Sequence, residues 1–310
     1  MQYFYTILSQ IVQVNKMYSK TLVPEFLKVS SIISIFRTER NWSEAESSGE
    51  AHSFHEFVFV ENGDFNILVD GELFSLRKGQ LIIYEPHSFH SVATSRDAAI
   101  NVVCFETSSN KLPRFSNNII TANEFQQKRI SELVSLSESL LEPAPYGKFE
   151  GGMTLRDGVE DFAVQRLANL LELLLIDLYE TDNADTSDDK LSHKSPDSEF
   201  LNDLVEYMRT HIEENLTISD ISKACSLSVS SLHRLCKRQC GCGPISLFIS
   251  IKLGEAKRLI AQGRLNFTEI SQALGFSSVH YFSKLFKQKT GMTPSRYAKS
   301  IRGRQTESRL

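Results

Sequence analysis

Two sets of four polar side chains share one spacing. His280, Ser283, Lys284 and Lys287 fall at i, i+3, i+4 and i+7, and Ser230, His233, Arg234 and Lys237 repeat that pattern 50 residues earlier. On an α-helix this spacing puts all four side chains on one face. A polar, basic helical face fits a DNA major groove, which is about 12 Å wide. Arg234 has the fork of donors that grips a guanine edge in two hydrogen bonds, and Lys284 is its weaker equivalent. Ser230, His233, His280 and Ser283 can donate to bases or phosphates, whereas Lys237 and Lys287 are suited to neutralising phosphates. Any surface helix shows a solvated face; two in register on similar scaffolds argue for readout.

A second constellation lies near the front of the chain. His52, Phe54 and Glu56 alternate onto one face of an extended segment, while His55 points to the other. With Tyr84 and His90 they combine aromatic walls and converging polar groups, the composition of a pocket for a small polar effector such as a sugar. Glu50, His52, Glu56 and His90 also make a donor set that a divalent metal could use. The expectation is an effector site with no metal and no cofactor. Arg37 and Trp42 are weaker members of the same region.

The elements that must position the basic faces are themselves repeated. Thr217, Asp220, Ile221 and Ala224 match Asn266, Glu269, Ile270 and Ala273 at an offset of 49. After one inserted residue, Leu232, Arg234, Leu235, Lys237, Gly241 and Pro244 match Phe282, Lys284, Leu285, Lys287, Gly291 and Pro294 at an offset of 50. A period of this size is one supersecondary unit used twice. Each copy opens on a capping box, Thr217 with Asp220 and Asn266 with Glu269. Ile221 with Ala224, and Ile270 with Ala273, are expected to face inward. Gly275 allows a tight turn, Ser277 is the expected cap of the helix that follows, and Phe282, Leu285 and Phe286 are its buried stripe. Residues 245–261 read as a helix joining the units, interrupted by Gly254 at some cost in helicity.

Charge divides the chain in the same way. From Phe200 onward there are 17 Lys and Arg against 8 Asp and Glu, a balance of +9; before it the count is 17 against 30, a balance of −13. A basic end on an acidic body is the pattern of a nucleic-acid module attached to a sensor. No run of apolar residues is long enough to span a bilayer, and residues 1–14 lack the basic leader and cleavage site of a signal peptide. Five cysteines, four of them crowded into the first repeat, occupy apolar or turn positions without metal-site spacing and point to a reducing compartment, the cytoplasm.

Ahead of the repeats, short stretches at 31–36, 56–60, 65–69, 81–84 and 100–105 read as strands with period-2 patterning. Turn signals at 61–64, 70–71 and 78–79 separate several of them, which predicts a sandwich or barrel of the jelly-roll kind. Residues 122–141 and 161–179 have helical spacing. The second carries Leu167, Leu170, Leu171, Leu174, Leu175 and Leu178, a stripe that must be buried either on the barrel or in a dimer. A Pro/Gly loop at 143–152 lies between these helices. Residues 180–198 are polar and acidic, with the composition of a linker.

The run of Gly275, Phe276, Ser277, Ser278, Tyr281, Phe282, Ser283, Lys284, Phe286, Lys287, Gly291, Pro294 and Tyr297 resembles the AraC/XylS family of bacterial transcription regulators over about 100 residues. The first unit departs from that pattern at Cys236, at Gly243 with Pro244, and at Lys252. The stretch from His52 through Gly63, Gly79 and Pro86 to His90 resembles the cupin-like sensor of sugar-responsive members. The resemblance implies an α+β protein with a cupin-like barrel and helical dimerisation segment over 1–180. A linker at 181–198 and a double helix-turn-helix domain over 199–302 follow. It also implies a homodimer that binds promoter DNA, contacts RNA polymerase, answers to a small molecule and catalyses nothing. Two other classes fit parts of the chain, a metal-dependent cupin enzyme with a DNA-binding tail and a protein-interaction module.

Overall fold

The computed structural model describes residues 21, 23–40, 49–92, 98–109, 112, 117–143, 152–182 and 196–307. The front of the chain forms β1 (Val29–Arg40), β2 (His55–Asn62), β3 (Asp64–Val69), β4 (Glu72–Arg77), β5 (Gln80–Tyr84), β6 (His90–Val92), β7 (Ala98–Thr107) and β8 (Ile120–Thr121). They make a five-stranded sheet in the order β1-β7-β2-β5-β8 and a three-stranded sheet in the order β4-β3-β6. The five expected strands are all present. β4, β6 and β8 were not expected: β4 is the return arm of a hairpin, and β6 and β8 are too short for a periodicity to register.

Asp70 and Gly71 both take positive φ, +48° and +83°, and form the two-residue turn between β3 and β4. That mirror-image turn matches the twist of antiparallel strands.

Alternation along the strands separates two cores. Val58, Val60, Ile82, Tyr84, Val102 and Cys104 pack with Phe65, Ile67 and Leu76 between the sheets. Phe57, Phe59, Leu81, Ile83, Val103 and Phe105 face the other way. That outer face is covered by α1 (Glu124–Leu140) and α2 (Asp161–Asp182). Leu167, Leu171, Leu174, Leu175 and Leu178 are all buried there, so the leucine stripe covers the barrel. Fully burying one such side chain is worth about 1.5–3 kcal/mol. Residues 144–151 of the expected Pro/Gly loop lie outside the described residues; on either side of them β9 (Leu141–Pro143) pairs with β10 (Met153–Leu155).

The expected linker is bordered by helix on both sides. α2 continues to Asp182 and α3 (Pro196–Thr210) begins before residue 198; residues 183–195 lie outside the described ones. The first repeat is α4 (Ile218–Ala224) and α5 (Val229–Cys240), and the second is α7 (Phe267–Ala273) and α8 (Val279–Thr290). α6 (Pro244–Gln262) joins them, and α9 (Pro294–Glu307) follows.

The two halves share packing. Leu68 of β3 is buried in one cluster with Leu201, Leu204, Leu232, Leu247 and Ile251 of the helical half. The Lys257 ammonium is buried and donates to Asp70 Oδ1 and to the His87 carbonyl, each at 2.6 Å.

Candidate nucleic-acid interface and barrel-interior site

The second helix of each unit is held by the same local devices. Thr217 and Asp220 close a capping box on α4, and Asn266 and Glu269 close one on α7. Gly241 and Gly291 end α5 and α8 in the left-handed conformation, at φ +67° and +75°. The stripe Leu232 and Cys236 is buried in the first unit, as are Phe282, Leu285 and Phe286 in the second.

Two local expectations are corrected. Ala224 and Ala273 are exposed rather than inward. The inward small residues are Ser222 and Ser271, both buried beside Ile221 and Ile270. Ser222 stays satisfied by donating from Oγ to the Leu227 carbonyl at 2.5 Å. A short apolar residue and a short hydroxyl are equally small, so size alone did not say which faced in. Ser278, not Ser277, caps α8: its Oγ accepts from the Tyr281 N–H at 3.1 Å. Ser228 does the same for α5 by accepting from Ser231 N–H.

The two polar faces are largely open to solvent. Ser230, His233 and Arg234 of α5 are exposed, as are His280, Lys284 and Lys287 of α8. Ser283 is half-buried. Lys237 is half-buried as well, with Nζ 3.4 Å from the carbonyl of Gly241 at its own helix end, where a cation complements the helix dipole.

Lys252 of α6 ties the two units together. Its ammonium is buried and donates to the carbonyl of Glu214, ahead of the first unit, at 2.7 Å and to that of Leu274, in the turn of the second, at 2.8 Å. It also lies 4.6 Å from the Phe248 ring centre and 5.4 Å from that of Phe276. Burial brings its pKa down to about 8. A Lys in a helical apolar run gave no sign that it was an internal strut.

In the barrel, all five expected effector residues come together. His52 Nε2 lies 3.0 Å from Glu56 Oε2, and His90 Nε2 lies 3.7 Å from the same oxygen. Phe54 stacks on His52 with centroids 3.8 Å apart, and Tyr84 stacks on His90 at 5.0 Å. Glu50 bridges to His90 through the backbone, and its carboxylate sits 3.6 Å from His90 Nε2. Burial pushes the His90 imidazole pKa down, but the Glu50 and Glu56 carboxylates raise it by more. His90 in turn holds the Glu50 carboxyl below its ordinary value.

His90 Nε2 and Tyr84 Oη are buried without a hydrogen-bond partner among the described residues. Buried polar atoms are normally paired, so this cluster has donor and acceptor capacity to offer. One ligand atom each from His52, Glu56 and His90 lies within 4.8 Å of the others, so these three could also hold a divalent cation. Cys104, missed in the sequence, places Sγ 3.7 Å from Glu56 Oε2. His55 points to the opposite face and stacks on Phe105. Arg37 is spent on ion pairs with Glu39 and Glu61, and Trp42 lies outside the described residues.

All five cysteines are free. Burial pushes the Cys236 thiol up to about 12 and Cys242 up to about 11, so neither is a ready thiolate. Among the described residues no helix is long and apolar enough to cross a membrane.

Two capped helix pairs, each presenting an exposed polar and basic second helix, define a helix-turn-helix protein. The family model of a helix-turn-helix domain matches residues 221–300. That domain is of the AraC type, and over it the chain is similar to AraC-family transcription regulators. It is 30% identical over 106 residues to the bifunctional transcriptional activator/DNA repair enzyme AdaA of Bacillus subtilis, covering 34% of this chain and 50% of that protein. It is 32% identical over 96 residues to the probable transcriptional regulator LumQ of Photobacterium leiognathi, covering 31% of this chain and 39% of that one. The chain thus spans half or less of these two relatives. With the transcriptional activator RhaS of Yersinia pestis it shares 21% identity over 252 residues, covering 78% of this chain and 86% of RhaS. Among solved structures, ToxT of Vibrio cholerae matches at 14% identity and a TM-score of 0.32, over 86% of this chain and 96% of that one.

Proposed function

We propose that the chain is a sequence-specific, double-stranded-DNA-binding regulator of transcription. The observation that carries this reading is the equivalence of the two exposed faces. Arg234 and Lys284, His233 and Ser283, and Lys237 and Lys287 occupy matching positions on matching scaffolds. α6 spans 19 residues, or about 28 Å at 1.5 Å per residue. Successive major grooves on one side of DNA are about 34 Å apart, so a joint of this length suits the reading of two grooves from one face. The likeness to RhaS, an activator by its name, supports activation, with RNA polymerase as the further partner.

The barrel-interior cluster is the proposed effector site. His90 Nε2 and Tyr84 Oη, neither of them in a hydrogen bond among the described residues, suit a small hydroxyl-rich molecule such as a sugar together with the Glu56 carboxylate and the stacked rings of Phe54 and His52. The leucine stripe of α2 is used on the barrel. Phe162 and Leu173, exposed on the same helix, are what remains for pairing with a second copy in a homodimer. The proposed location is the cytoplasm.

The test is a fluorescence-anisotropy titration of the full chain against duplexes selected from a random library. A selected duplex should bind more tightly than scrambled DNA, with affinity falling steeply as salt rises. Equal, salt-insensitive binding to all duplexes would sink the reading. For the effector, a thermal-shift screen of sugars should give a hit that Tyr84→Phe with Glu56→Gln abolishes.

A further inference from the structure

We infer that residues 87–91 of the barrel set the distance between the two DNA-reading helices, which makes Ser91 and His87 positioning residues for DNA recognition. The inference rests on the DNA-binding reading above and adds to it what fixes half-site spacing.

Ser91 donates from Oγ to the Cys240 carbonyl at 2.7 Å. Four residues earlier, His87 Nδ1 lies 3.0 Å from the Thr290 carbonyl and serves as the donor. Cys240 and Thr290 are the same position of the repeat, 50 residues apart: each is the last residue of its recognition helix, followed by the left-handed glycine that ends it. Carbonyls at a helix C-terminus have no partner within the helix and must find one elsewhere. Here both find it in one five-residue piece of the barrel.

The segment is held stiffly. The His87 N–H donates to the His52 carbonyl at 2.6 Å, and the Phe89 N–H donates to Asp70 Oδ1 at 2.9 Å. Between the two clips, Lys257 of α6 bonds Asp70 and the His87 carbonyl, and Lys289 of α8 lies 4.4 Å from the Phe89 ring centre. His87, Phe89 and Ser91 thus meet the helical half. Between them, His90 turns its ring into the barrel against Tyr84 and His52. A rigid strip pinned to equivalent ends of two helices is a spacer. It also has the effector cluster on its reverse side, so a ligand that moves His90 moves the strip.

Each added base pair shifts a half-site by about 3.4 Å, so a fixed spacer selects one separation. The experiment takes the duplex selected by the wild-type full chain and varies its inter-half-site spacer by −2 to +2 base pairs. Wild type should prefer one spacer over its neighbours by about tenfold, a typical cost of misplaced base contacts. Ser91→Ala combined with His87→Asn, Asn being tolerant of the positive φ of +68° at that position, should flatten the preference to within about threefold. Affinity for a single half-site should hold within about twofold. Ser91→Thr alone, which keeps a hydroxyl, should retain the wild-type profile. A double variant with unchanged spacing preference, or a wild type indifferent to spacing, overturns the inference. A wild type that binds no duplex in a salt-dependent way instead overturns the DNA-binding reading on which it rests.

Discussion

Gly254 of the joining helix and Asp70 of the barrel turn touch backbone to backbone. A Cβ built on Gly254 would lie 1.9 Å from the Asp70 carbonyl oxygen. The glycine that looks like a flaw in α6 is therefore the place where the barrel sits on it. Gly71 mirrors the arrangement, with its missing Cβ 2.3 Å from Ile251 Cα.

Gly254→Ala should separate two effects. An Ala in mid-helix favours α6 by about 1 kcal/mol, but its methyl cannot coexist with the docked turn. The full chain should keep its helix content while its radius of gyration grows and limited proteolysis speeds up. Small-angle scattering with limited proteolysis reads both; an unchanged radius would mean that the contact yields.

One position in the repeat carries opposite residues. Gly275 takes φ +61° in the second unit, and its equivalent, Ser226, takes φ +53° in the first. A non-glycine residue there costs about 1–2 kcal/mol. Ser226→Gly should therefore be neutral to stabilising by up to about 1 kcal/mol, the gain being trimmed by a freer unfolded chain. Gly275→Ala should destabilise by more than about 2 kcal/mol, because its methyl would also meet the Glu213 carbonyl oxygen at 1.9 Å. Urea denaturation of the two variants gives the comparison directly.

Arg234→Ala should cost about 1–3 kcal/mol of binding and relax preference at one base position. Lys287→Ala should weaken all duplexes alike and reduce the salt slope by about 1. Competition titrations at several salt concentrations distinguish them, and identical behaviour of the two variants would refute the division into base and phosphate contacts.

Lys252 should make stability depend on pH in an uncommon direction. Burial brings its folded pKa to about 8, below the ordinary value of 10.5. Between those values the unfolded chain binds the proton that the folded one has lost, so this group makes stability rise with pH, by at most about 1.4 kcal/mol per unit. Below pH 8 both states are protonated and the dependence vanishes. Measured as wild type minus Lys252→Met, the denaturation midpoint should climb from pH 8 to 10. A flat difference would show that the two carbonyls and two rings hold the ammonium charged throughout.

The capping boxes, the repeat and the basic faces were legible because each is a local device. A capping box spans four residues and a helical face eight, so spacing alone places them. The period-2 strands were legible for the same reason, and alternation correctly put His52, Phe54 and Glu56 on one side and His55 on the other. Short strands such as β6 escaped because three residues cannot show a period.

The amino-acid sequence by itself determined the two helix-turn-helix units, the charges on their second helices and the residue types at the barrel's interior. Only tertiary structure decided what the long-range partners are. The leucine stripe went to the barrel because the outer face of the large sheet needed covering. Ser222 and Ser271 went inward in place of the alanines because helix rotation is set by the whole core. Lys252, Lys257, Ser91 and His87 became struts because folding brought them to carbonyls that have no partner within their own helix or turn. Contacts across 149 and 203 residues, Ser91 with Cys240 and His87 with Thr290, leave no periodic trace in a chain, since neither partner's neighbours need to change to make them.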